Sequence, residues 1–463
     1  MIDESDSGML SPGWAHVDVT VVSDRAWIEA ALRVEVALAR SQARLGIIPE
    51  PAADTIETVA DSLQIDPRTL AQGVYEASNP AISLVQQLQN AVEKVSPGTG
   101  DFVHLGATSQ DVLDSATMLV CTRALIELQD TLGEVRTQLV RRIVEHGDTA
   151  MAGRTVTQHA VPITFGVKAA TWLNGIIDAE TEVRTLLDAG LPLSLAGASG
   201  TLAAYSEYAA QATGRAFDPF LLVDAVADEL GLNAHYQPWH TARTPIAKIG
   251  GALAIVSGTL GKIASDIHVM SRTEIGEVSE GQGENGGISS SMPQKQNPAK
   301  TVLVLAAAKQ VPAHALVLYQ SMLAEDERST GSWQSEWQPL RDALRLVLGS
   351  SSHTADLLRN LSINTEAMRR NLGSTGAAIV SERLNVALTP LVGKLRAKQI
   401  LRRLLLGNDD REVVVSKLRS ELSDLRVDMR ALDINGLLSV EEYVGVSARI
   451  AHRAIIRSES MDE

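Results

Sequence analysis

The sequence predicts an all-α fold built around unusually long helices, and three observations carry that reading. The composition is 45% hydrophobic but only 3% aromatic, so the core is made of Leu, Val, Ile and Ala, as in helical bundles. From Asp111 to His146 there is no proline and one glycine, and Leu125, Leu128, Leu132, Val135, Leu139 and Ile143 recur at three- and four-residue spacing. The apolar segments Thr244 to Glu274 and Asn297 to Arg328 show no strand-like alternation, and only Pro312 interrupts the second.

A chain of 463 residues is too long for one simple core. Its punctuation divides it into an N-terminal helical domain (1–100), a central long-helix domain (101–349) and a C-terminal helical domain (350–463). In the first, Asp24 to Gly46 is amphipathic and stops at glycine with Pro49 just beyond. The break Ser96-Pro97-Gly98-Thr99-Gly100 opens the second. There the 111–146 helix would span on the order of 50 Å. Helices this long and apolar are expected to continue into a partner's helices, which predicts an oligomer. Another helix is expected from Phe165. The last hundred residues give shorter helices, with a surface turn at Asp409-Asp410-Arg411 and a helix cap at Ser374-Thr375-Gly376.

The formal charge of −15 argues against a nucleic-acid or anionic-membrane surface. It leaves room for an anionic substrate held by local Arg and Lys. The single cysteine, Cys121, excludes an internal disulfide framework, fits a reducing cytosol and lies inside a helical pattern as a small core residue. The N-terminus MIDESDSGML lacks an apolar signal core, and no uninterrupted apolar run reaches membrane-span length. The expectation is a soluble cytoplasmic protein. No GxGxxG follows a strand, no Walker loop is present and no His/Cys spacing suits a metal, so neither cofactor nor metal is expected.

Polar islands interrupt this apolar sequence. The first, His104-Leu105-Gly106-Ala107-Thr108-Ser109-Gln110-Asp111, brings two hydroxyls, an amide and a carboxylate to a helix N-terminus, where free backbone N–H groups favour anions. The same residues also suit a cap, with Thr108 or Ser109 capping and Asp111 in the first turn. The second, Gly153-Arg154-Thr155-Val156-Thr157-Gln158-His159-Ala160, precedes the Phe165 helix, and for His159 a structural and a catalytic reading both stand. The third, Ile275 to Lys300, packs five glycines, three acids and a triple serine before Met292-Pro293-Gln294-Lys295-Gln296-Asn297-Pro298. So glycine-rich a loop has much conformational freedom to lose on ordering, as loops that close over active sites do. A serine six residues before a lysine there suggests a hydroxyl whose alkoxide is held by a cation. In a fourth, Glu325-Asp326-Glu327-Arg328 runs into two tryptophans, Trp333 and Trp337, unlike a solvated charge run. Arg328 reads as a cation at a helix end, available to a carboxylate.

In this order the islands resemble the fumarase/aspartase superfamily. The family's GSSxMPxKxNP loop stands here as Ile288 to Pro298, Thr108-Ser109-Gln110-Asp111 looks like its first block, and Gly153-Arg154-Thr155 opens its second. The resemblance covers nearly the whole chain. It implies a homotetramer around a central helical bundle, active sites each shared by three subunits, and cofactor-free anti β-elimination from a small dicarboxylate. By position, Ser289 is the base, Lys295 and Asn297 stabilise the aci-carboxylate, as developing negative charge requires, and Thr108 and Ser109 bind the other carboxylate. Gln110, Arg154, Gln158, Met292, Arg328, Asn79 and Arg25 are further substrate-binding candidates, and His159 is a catalytic one.

GATSQDVLD, AGRTVTQHAVPITFGVKAA, PWHTART and AEDERSTGSWQSEW resemble the 3-carboxy-cis,cis-muconate cycloisomerase branch. An adenylosuccinate-type lyase would show Ser-His-Ser-Ser where this chain has Ser329-Thr330-Gly331-Ser332. Three departures bear on chemistry. The superfamily's acid histidine is Val156, the loop glycine before the serines is Ile288, and two positions that are often cationic are Gln294 and Gln296. Neutral amides favour a succinate over a tricarboxylate, since each buried anion needs a partner. A missing acid favours a leaving group that needs no proton. Nitrite is such a group, and the resemblance to this branch, which includes enzymes that act on nitrosuccinate, implies nitrite elimination from nitrosuccinate to give fumarate. Cycloisomerase and amine-releasing C–N lyase activity are the alternatives. A purely structural role for the fold is the contrasting class, and Ser289, Lys295 and Asn297 together count against it.

Overall fold

The computed structural model describes residues 9–281, 292, 295–405, 411–428 and 432–462. Helix α1 (Asp24–Arg44) starts where Ser23 Oγ accepts from Ala26 N and ends before Gly46, whose φ of 73° a side chain would resist. After it come α2 (Glu50–Ser62), α3 (Pro67–Ala77), capped by Asp66 with proline at its first position, and α4 (Ala81–Val95). The predicted long helix is α5 (Ser109–His146). Strands β1 (Ala150–Thr155) and β2 (Gln158–Thr164) precede α6 (Phe165–Ala189), α7 (Ala203–Thr213), α8 (Phe220–Leu230) and α9 (Thr244–Met270). Then come β3 (Val278–Glu280), α10 (Ala299–Gln320), which contains Pro312, α11 (Ser332–Asn360) and β4 (Leu361–Ile363). The shorter helices α12 (Thr365–Gly373), α13 (Ser381–Val392), α14 (Lys394–Leu405), α15 (Arg411–Asp424), α16 (Ile434–Leu437) and α17 (Ser447–Glu459) complete the described chain. The fold is all-α, as expected.

The chain forms two compact units: Met1–Leu132 with Ala179–Gly261 and Leu303–His353, and Gly133–Asp178 with Lys262–Val302 and Thr354–Glu463. In the first unit α1 packs against α2 and α8. Gly13 is required there, because a Cβ would sit 2.6 Å from the Leu346 side chain. In the second, Leu384, Leu388, Ile400, Val414, Leu418 and Leu422 form a fully or nearly fully buried core.

Two features depart from the sequence reading. The island before the Phe165 helix, for which no strand was expected, is an antiparallel hairpin, Ala150 opposite Thr164 and Thr155 opposite Gln158, with an irregularity between Ala152 and Arg154. Its two-residue turn puts Val156 at φ 48° and Thr157 at φ 70°, conformations that β-branched residues resist. Also, α9 and α10 are long and apolar enough by composition to cross a membrane, although no uninterrupted run reaches that length. The protein itself buries 56% of the apolar window of α9 but only 33% of that of α10, which leaves Val302, Leu316 and Tyr319 about half exposed.

Candidate active site

The first island folds as an anchored helix start. Asp111, three residues after Thr108, turns its carboxylate back to accept from Thr108 N at 3.2 Å, the N3-to-N-cap half of a capping box. The Thr108 hydroxyl, expected to cap, accepts instead from Arg328 Nη2 at 2.8 Å. The same Nη2 donates to Ala198 O at 3.1 Å. Among the described residues no carboxylate pairs with Arg328, and its Nη1 and Nε have no protein acceptor. Half of the guanidinium fork, beside the first turn of α5, is therefore open to a carboxylate. Ser109 lies next to Thr108 on that turn, half-buried.

Asp111 stands in the first turn of α5, as expected, and is fully buried there. Besides Thr108 N, it accepts from Ala196 N (2.9 Å), Gly197 N (3.0 Å), Tyr205 OH (3.1 Å) and His240 Nε2 (3.0 Å). Burial, then the Asp111 charge and hydrogen bond, push the Tyr205 hydroxyl well above its usual value, so it remains a donor. Tyr205 also packs on Gly106, where a Cβ would lie 2.7 Å from the ring. At the start of the island His104 Nδ1 meets the buried Glu35 carboxylate at 2.6 Å. Burial alone would lower this imidazole, but the charge and hydrogen bond of Glu35 win and raise it.

Beneath this layer Gln110 is wholly buried, its Nε2 given to Asp114 Oδ2 (3.1 Å) and His240 O (2.8 Å). Arg243 bridges Asp114 and Glu336, both within 2.7 Å, and Trp333 Nε1 donates to Asp114 at 3.0 Å. Burial and the Asp114 charge together outweigh Arg243 and push the Glu336 carboxyl up to about 7.

The second unit holds the hairpin residues. Arg154 is committed to Glu277 through two hydrogen bonds, and Asn371 Nδ2 donates to the same carboxylate at 2.9 Å. His159 Nδ1 meets Thr375 Oγ1 at 2.7 Å, so the Ser374-Thr375-Gly376 turn is more than a cap. Ser374 alone keeps that role, closing α12 on Asn371 O. Burial and neighbouring Arg154 hold the His159 imidazole below its usual value. Gln158 is exposed beside Thr157.

Ser289, the base position, lies outside the described residues. The chain on either side of it is tied together at its base. Gly281 N donates to Asn360 O at 2.9 Å, and Glu280 accepts from Lys300 N (3.0 Å) and Thr301 N (2.7 Å), the acid favoured at the N-terminus of α10. Lys295 and Met292 are exposed, Lys295 N bonding Met292 O at 3.0 Å, and Asn297 is half-buried. Asn79 and Arg25 have local partners: Asn79 Oδ1 accepts from Ala81 N, and Arg25 pairs with Glu29 one turn along α1.

The contacts of Asp111, Tyr205, His240 and Glu277 emerge only in the fold. A histidine flanked by Trp239 and Arg243 was the available signal for His240. The acids carried none, because their partners are remote in sequence.

The lyase family profile matches residues 11–313. A nitrosuccinate lyase from Streptomyces davaonensis is 44% identical over 97% of this chain and 94% of its own. A 3-carboxy-cis,cis-muconate cycloisomerase from Pseudomonas aeruginosa is 35% identical over 94% of this chain and 93% of its own. The crystal structure of β-carboxy-cis,cis-muconate cycloisomerase from Acinetobacter calcoaceticus superimposes with a TM-score of 0.83 at 30% identity, covering 94% of this chain and 96% of that one.

Proposed function

Because the chain belongs to the lyase family and is an enzyme of the cycloisomerase-like branch of the fumarase/aspartase superfamily, we propose that it catalyses anti β-elimination of nitrite from nitrosuccinate, with fumarate as product. Ser289 as alkoxide takes a proton from the carbon next to one carboxylate. The C–H pair moves into that carboxylate as an aci-carboxylate, whose charge Lys295 and Asn297 stabilise. When the pair returns to form the C=C bond, the C–N bond breaks and nitrogen leaves with its electrons as nitrite. Thr108, Ser109 and the open half of the Arg328 fork hold the second carboxylate. Arg154, spent on Glu277, orders the hairpin instead of binding substrate.

One observation carries the choice of leaving group. The position of the superfamily's acid histidine is Val156, which is 94% exposed at the hairpin tip and has no proton to give. The imidazole nearest in sequence, His159, is held toward its neutral form by burial and Arg154. Nitrite, the conjugate base of a fairly strong acid, departs without protonation, whereas an amine does not. The name of the relative at 44% identity supports the same reading.

The enzyme works as a cytoplasmic homotetramer with shared sites, a reading supported by the exposed apolar residues of α10. A panel of succinates bearing nitro, amino and substituted-amino groups, together with carboxymuconate, tests the substrate by fumarate absorbance. The reading requires the nitro compound to turn over fastest. Faster release from an amine-bearing succinate, or lactone from carboxymuconate without fumarate from any succinate, overturns it.

A further inference from the structure

The two segments that hold Arg328 share one anchor. Thr108 supplies a hydroxyl to Nη2 and Ala198 a carbonyl. Thr108 gives its own N–H to Asp111, and so do Ala196 and Gly197, immediately before Ala198. Tyr205 OH and His240 Nε2 complete five hydrogen bonds to one buried carboxylate. An ionised carboxylate only accepts, so His240 Nε2 carries the proton. Its Nδ1 is buried without a partner among the described residues. His240 is itself fixed through its carbonyl by Gln110 Nε2.

We propose that Asp111 is a positioning residue of the substrate site: it sets the spacing between the Thr108 turn and the 195–198 segment, and through them the direction in which the Arg328 fork points. The inference rests on the reading of Thr108 and Arg328 as the carboxylate site. Nothing in the carboxylate's own contacts touches the open side of Arg328, so Asp111 acts only through its neighbours. A buried anion with five donors is also over-provided for a helix cap, which needs one. The surplus donors come from the segment next to Ala198 and from the side chains of Tyr205 and His240.

The test uses the full-length protein with fumarate as the probe ligand, read by calorimetric binding, by KM and kcat, and by thermal midpoint. Asp111→Asn replaces one acceptor oxygen with an NH2 that faces N–H donors. It is expected to weaken fumarate binding and raise KM by about tenfold or more, the order of one charge-assisted hydrogen bond lost at Arg328, with kcat much less affected. Tyr205→Phe, which removes one of the five donors without adding one, should give a smaller rise in the same direction. It carries the test if Asp111→Asn does not fold. A lowered thermal midpoint with fumarate affinity and KM unchanged in the folded variants marks Asp111 as merely structural and overturns the inference. Arg328→Lys is the control that separates the two readings. If it too leaves fumarate binding unchanged, the carboxylate site itself is misplaced and both fall. If it weakens binding while Asp111→Asn and Tyr205→Phe do not, the positioning inference alone falls.

Discussion

Arg154 gives Nη1 to Glu277 Oε2 at 2.9 Å and Nη2 to Oε1 at 2.7 Å, a bidentate pair in which the carboxylate is fully buried. The Asn371 amide, bonded to both Glu277 and Ile275 O, braces it. This pair ties β1 to the chain entering β3.

Removing one partner of such a pair leaves an uncompensated buried charge, at a cost of roughly 3–5 kcal/mol. Arg154→Met should therefore lower the urea midpoint sharply. Arg154→Lys, which cannot reproduce the fork, should lower it less. For the lysine variant KM is expected to stay near the wild-type value. A raised KM with an unchanged midpoint would return Arg154 to the substrate.

Arg328 is predicted to behave in the opposite way. It is exposed, its fork is half open, and among the described residues no carboxylate balances it. Arg328→Lys should raise KM for the dicarboxylate by about tenfold, with the thermal midpoint held, because lysine presents a point charge where a fork is needed.

The cluster of Asp114, Arg243 and Glu336 predicts a pH dependence of stability. Folded Glu336 titrates at about 7 against an ordinary value of 4.5, raised by burial and the Asp114 charge. Its folded-state pKa is raised, so its contribution is complete below the unfolded value and is lost as pH rises through the folded one. Between about pH 4.5 and about pH 7 the wild type should lose stability that Glu336→Gln retains. Parallel stability curves for the two proteins would show that Glu336 is ionised throughout.

The missing histidine gives a further prediction. Val156→His should bring little gain with a nitro leaving group, and His159→Gln should preserve the chemical step, at most weakening binding. If His159→Gln abolishes turnover and removes the basic limb of the pH–rate profile, His159 is the acid and the leaving group needs a proton.

Much of this was legible in the sequence, for local reasons. The start of α1 at Asp24, of α6 at Phe165 and of α9 at Thr244 follows from apolar periodicity and capping chemistry within a few residues. The polar islands stood out against apolar helices. The β1–β2 hairpin was not legible, because Gly153 and the irregularity between Ala152 and Arg154 break the alternation that marks a strand. The role of Asp111 was hidden because its partners Ala196 and His240 lie 85 and 129 positions away. A cap read from neighbours alone therefore gave Thr108 the wrong acceptor role. Likewise only the fold decides which arginine is paired and which is open.

On the proposed mechanism a serine base expels nitrite from nitrosuccinate without a proton donor at position 156. The most direct measurement quantifies fumarate and nitrite together from purified enzyme and nitrosuccinate, with Ser289→Ala in parallel. Equal amounts of the two products are expected from the wild type, and a rate lower by about a hundredfold or more from Ser289→Ala. Fumarate without matching nitrite, or undiminished turnover by Ser289→Ala, would contradict it.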